Sequence, residues 1–147
     1  MNRQLTTFIL SSASLLLSAN VLAAPPKFAI KDSSPETLIT ADSAKSIWLA
    51  ALPQKDIKQF PAKKYGYISE VNGGFDDKKN CVVVARAMVV PLGTKLIPGS
   101  ATTFIYAPQK TSVTFASAAH DSAEQCSAMA KAKLKEAVES VVSSLSN

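Results

Sequence analysis

The longest apolar stretch beyond the amino terminus runs from Cys81 to Val90 and is broken only by Arg86. Ten such residues, rich in valine, predict a central strand covered on much of both faces. Alternation separates Cys81, Val83, Ala85, Ala87 and Val89 from Val82, Val84, Arg86, Met88 and Val90. A preceding strand is predicted over residues 65–73. Asp76-Asp77-Lys78-Lys79 forms the charged hairpin tip between the two, and Gly73-Gly74 is the place for a bulge. Pro91, Gly93, Pro98 and Gly99 mark a loop. Residues 102–107 and 111–116 then read as a second hairpin around Pro108-Gln109, with Phe104, Tyr106, Val113 and Phe115 facing inward.

Helical spacing occurs twice. Ala44, Ile47, Trp48 and Ala51 make one stripe, so a helix is predicted over residues 42–51, capped by Asp42 and stopped by Pro53. Trp48 reads as its core anchor. Cys126, Ala130, Leu134, Ala137, Val138, Val141 and Leu145 make a longer stripe over residues 122–145, with Asp121 and Glu124 as a capping arrangement. The first half of that stripe is alanine-rich, which suits close approach to a sheet face built around Ala85 and Ala87. Ser34-Pro35-Glu36 has the order of a helical turn, and residues 53–64 look like a connector.

These elements predict an α+β fold in a single domain. It has an antiparallel sheet of about four strands, a long C-terminal helix on one face and a shorter N-terminal helix. Residues 24–40 are expected to be a mobile lead-in, and residues 41–147 the folded domain.

The amino terminus changes the setting. Arg3, an apolar run and Val21-Leu22-Ala23 form a cleavable secretory signal over residues 1–23. The run is too short for a membrane span, no cysteine follows for a lipid anchor, and no later run reaches spanning length. A soluble protein of the bacterial periplasm is expected. Cleavage leaves 124 of the 147 residues, one domain of ordinary size.

Export makes a disulfide permissible, and the two cysteines, Cys81 and Cys126, allow one pairing. Their 45-residue separation excludes a C-x-x-C redox motif. A bond closing that loop stabilises by roughly 3–4.7 kcal/mol in the chain-entropy description.

Charge narrows the partners. After cleavage, 14 lysines and Arg86 face 11 acidic residues. A lysine-rich, arginine-poor balance with interspersed acids reads as a solvated surface and argues against nucleic acid, where arginine predominates. An anionic envelope component or an acidic protein stays compatible.

Catalytic constellations are scarce. His120 is the single histidine, which argues against a metal site and a serine triad, and no G-x-S-x-G, S-x-x-K or phosphate-binding glycine loop occurs. No cofactor is expected. Candidate binding residues are Arg86, Glu70 and Met88. Arg86 sits mid-strand among valines, so it needs solvent, a carboxylate or a ligand. Glu70 is its natural partner: a symmetric four-residue turn would put Ser69 opposite Arg86 and Glu70 on the other face, and a bulge at Gly73-Gly74 would bring Glu70 to the Arg86 side.

The expected function is therefore non-catalytic binding of another envelope component, with an inhibitor or immunity-type protein as the specific form. The alternatives are an envelope-polymer hydrolase using carboxylates and a sheet-mediated homodimer. They separate on whether the Arg86 face is open or covered by the Trp48 helix.

Overall fold

The computed structural model describes residues 29–92, 94–95, 103–104, 108–119 and 122–145. The expected secretory signal, His120 and Asp121 lie outside them. In chain order the elements are β1 (Ile30–Asp32), α1 (Ala41–Ala51), α2 (Gln54–Gln59), β2 (Tyr65–Phe75) and β3 (Asn80–Pro91). They continue with β4 (Thr94–Lys95), β5 (Thr103–Phe104), β6 (Lys110–Ala119) and α3 (Ala123–Leu145).

Four strands form one sheet in the order β1-β2-β3-β6. The fold is α+β, as expected, but the sheet is mixed. β2, β3 and β6 run antiparallel, whereas β1 is parallel to β2. Parallel neighbours need a long crossover, and α1 with α2 supplies it. A three-residue strand is too short to show periodicity, so β1 was hidden in the lead-in. Residues 29–40 accordingly belong to the folded unit rather than to a mobile segment. Leu38 and Ile39 are buried in the core, and Leu38 and Ile39 N–H both donate to the Pro35 carbonyl in the expected helical turn. The Asp32 carboxylate accepts from Ser34 Oγ at 2.8 Å and from buried Ser69 Oγ at 2.7 Å, which ties the edge strand to β2.

α1 begins one residue earlier than its apolar stripe predicts. Thr40 is the cap, accepting from Ser43 N–H, and Asp42 instead lies in the first turn, where a negative charge meets the positive end of the helix dipole. The connector contains α2, whose Asp56 is buried. Trp48 and Tyr67 pack edge to face with centroids 5.4 Å apart. Tyr67 in turn donates its hydroxyl to the Phe60 carbonyl at 2.8 Å.

α3 lies across β3 and β6 and buries the whole stripe from Cys126 to Leu145. Ser122 Oγ accepts from Gln125 N–H at its start. Beneath it, Cys81, Val83, Ala85, Ala87 and Val89 are all fully buried, so the small central face receives the narrow half of the helix. The Cys81–Cys126 disulfide joins the two with Cα atoms 5.6 Å apart, within the range such a bond requires.

The second hairpin is not formed as expected. β5 pairs with β4 in a separate two-stranded sheet, and β6 pairs with β3 from Asn80↔Ala119 to Val89↔Lys110. Val113 and Phe115 also point the other way, 58% and 62% exposed. Their neighbours explain why. Ala85 lies opposite Thr114 and Val83 opposite Ala116, so small residues again face α3, and Thr114 Oγ1 donates to the Lys133 carbonyl at 2.8 Å. A phenylalanine in that row would hold the helix off.

Candidate functional site

Both helices that cover the sheet lie on its Cys81 face. Tyr67, against which Trp48 packs, is opposite Val89 on that face, so α1 joins α3 there instead of covering Arg86. Among the described residues, no helix covers the other face.

That open face is built by alternation on three long strands. Ile68, Met88 and Thr111 form one row, Glu70, Arg86 and Val113 the next, and Asn72, Val84 and Phe115 the third. Val84, Val113 and Phe115 are exposed. Toward β1, a shallow concavity of about 360 Å³ holds Lys31, Glu70, Arg86 and Met88, with Ile68 and Val90 in its wall. The three candidate binding residues therefore come together in one depression.

The hairpin turn sets this arrangement. Asp76 N–H donates to the Asn80 carbonyl at 2.9 Å and Lys79 N–H to the Asp76 carbonyl at 3.0 Å. Three residues make the loop, and Lys79 closes it with φ at 60°, the left-handed residue of a three-residue hairpin. This turn moves the register by one residue from a symmetric four-residue loop and places Glu70 directly opposite Arg86. Gly73 and Gly74 form no bulge, because pairing runs unbroken through Gly73↔Val83 and Gly74↔Val82. Gly73 serves close approach instead. Its φ is +146°, and a Cβ there would lie 2.0 Å from the Val82 carbonyl oxygen.

Although opposed, Glu70 and Arg86 are not joined by an ion pair among the described residues. Glu70 Oε1 accepts from Asn72 Nδ2 at 2.9 Å, and Arg86 Nε is buried without a hydrogen-bond partner among the described residues. Arg86 lines the depression, so its charge lies beside whatever occupies it. Lys31 adds a second cation beside it.

Three titrating groups are shifted, all away from this face: Tyr67, Asp76 and Glu124, the last lowered by hydrogen bonds at the start of α3. Burial, followed by the negative charge of Asp56, pushes the Tyr67 phenol up to about 12. Hydrogen bonds from the Asn80 side chain, then from the Asn80 and Lys78 backbone, hold the Asp76 carboxyl below its usual range.

A larger groove of about 470 Å³ between α1 and α3 is lined by Asp42, Ile47, Lys131 and Lys135. Asp42, Lys131 and Lys135 are exposed to solvent. Among the described residues, no three His, Cys, Asp or Glu side chains assemble as a metal site. No described helix is long and apolar enough to cross a membrane. No protein-family model matches the chain, nor does any curated protein or solved structure.

Proposed function

We propose that this protein is exported to the bacterial periplasm through its cleaved amino-terminal segment and acts there without catalysis. It binds a protein of the envelope through the open face of its sheet. An inhibitor or immunity-type role is the specific form of that reading. The buried Cys81–Cys126 bond fits an oxidising compartment, which supports the export step.

The observation that carries the binding step is Arg86. Its Nε is buried without a partner among the described residues, in a depression shared with Lys31 and rimmed by apolar side chains. Such a site suits a carboxylate set in an apolar surround, as an acidic residue on a partner protein provides. Among the described residues Glu70 is the sole acid lining that depression, and two carboxylates are needed for the usual glycosidic hydrolysis.

The test is affinity capture from periplasmic extract with the wild-type protein and the Arg86→Met and Met88→Lys variants. One protein retained by the wild type and lost by both folded variants supports the reading. Retention indifferent to both variants, or turnover of an envelope polymer in place of a captured protein, overturns it.

A further inference from the structure

We infer that β6 is a pairing edge for a second copy of this chain, which joins two sheets into one of eight strands. The parity of the sheet gives the first ground. Asp76 and Asn80 are a hydrogen-bonded pair, so even-numbered β3 residues bond toward β2 and odd-numbered ones toward β6. Consistently, the odd-numbered β2 residue Tyr67 sends its N–H toward the β1 side, to Ala29, and Ser69 accepts there from Ser33. In β6 the even residues therefore bond to β3. Thr111, Val113, Phe115 and Ser117 turn their backbone N–H and C=O groups outward along the edge.

The two edges of the sheet are treated differently. Beyond the three residues of β1, the Val71 N–H is capped by Ser34 Oγ at 2.8 Å, which blunts that side. β6 is ten residues long with no proline, and its pairing with β3 shows no bulge. Among the described residues no strand pairs with its outer side. Monomeric sheets guard such an edge with proline, bulges or charge, and of these β6 carries only Lys110, at its first residue, which leaves Thr111 to Ser117 unguarded.

The sequence of β6 is complementary to itself. Antiparallel pairing about a two-fold axis at Thr114 sets Val113 opposite Phe115 of the second copy, twice over, and Thr111 opposite Ser117. Aromatic with β-branched and hydroxyl with hydroxyl are favourable cross-strand pairs. Lys110, the sole charged residue of β6, falls opposite Ala118, so no like charges meet. The exposed Val113 and Phe115 side chains then shield one another on a continuous open face. This dimer does not depend on the Arg86 binding reading.

The test uses the chain expressed with its own amino terminus in an exporting bacterial host. Light scattering across a dilution series should give twice the monomer mass, and amide exchange should be slowed at Val113, Phe115 and Ser117. Phe115→Lys removes the aromatic pair, and Ser117→Pro removes an outward donor while sparing the β3 ladder. Both should return the monomer mass with circular dichroism unchanged. A monomer at every concentration, with fast exchange at these three amides, overturns the inference. So does a dimer that neither substitution weakens, or an edge protected only when a foreign protein is added.

Discussion

Glu70 and Arg86 face each other across the β2–β3 hairpin without forming an ion pair among the described residues. Lys79, at the tip, puts them in that relation, because its left-handed conformation shortens the loop to three residues. The Glu70 carboxylate takes its hydrogen bond from Asn72, and Arg86 stays available. A structural ion pair would have consumed both charges.

That relation separates stability from function at one residue. Arg86→Met keeps the apolar stem and removes a charged group whose Nε is buried without a partner among the described residues. Thermal unfolding should therefore be unchanged or shifted upward, since an uncompensated buried polar group is destabilising. A clear drop in the melting temperature would show that Arg86 is structural.

The disulfide should matter more than any single side chain. Cys126→Ala leaves α3 tethered to β3 by packing alone and should cost about 2–5 kcal/mol. Denaturant unfolding with and without reductant measures this. Mass spectrometry of the unreduced protein should find two hydrogens fewer than in the reduced form.

Packing under α3 depends on small residues. Ala85 is fully buried beneath the helix, so Ala85→Leu should destabilise by about 1–3 kcal/mol through overpacking. Ala50→Leu, on the exposed side of α1, should stay within about 0.5 kcal/mol. Chemical denaturation of the two variants side by side is the check.

The two hairpin glycines should differ in severity. Both have positive φ, yet a Cβ at Gly74 meets nothing within 4 Å, whereas one at Gly73 collides with the Val82 backbone. Gly74→Ala should cost about 1–3 kcal/mol for the strained conformation, and Gly73→Ala should exceed it. Equal melting temperatures would contradict the described hairpin.

Stability should fall at both extremes of pH. The Asp76 carboxyl is lowered on folding, so its contribution is present above the unfolded value of about 3.9 and is lost as pH falls through the folded value. Asp76→Asn should flatten that acid limb. The Tyr67 phenol is raised to about 12. Its contribution is complete below the unfolded value of about 10 and disappears as pH rises through about 12. Tyrosinate absorbance should show the Tyr67 phenol titrating late, and Tyr67→Phe should remove that step.

The elements of long periodicity are legible in the amino-acid pattern alone. The α3 stripe, the central strand and the small face around Ala85 follow from spacing, and the Cys81–Cys126 contact from there being one possible pair. The expected cover on both faces of the central strand is not met, since Val84 on its Arg86 side is exposed. The pattern also supplied Arg86, Glu70 and Met88 as a set of interest. What depends on neighbours emerges on packing. β1 is three residues long and becomes a strand only beside β2. Val113 and Phe115 are apolar, yet they lie outside because α3 accepts only small residues beneath it. The register that opposes Glu70 to Arg86 was set by the backbone of one lysine, which hydrophobic pattern does not encode. Among the described residues both covering helices lie on one side, which leaves Val84, Val113 and Phe115 exposed on the other, and that placement is a property of the packed sheet.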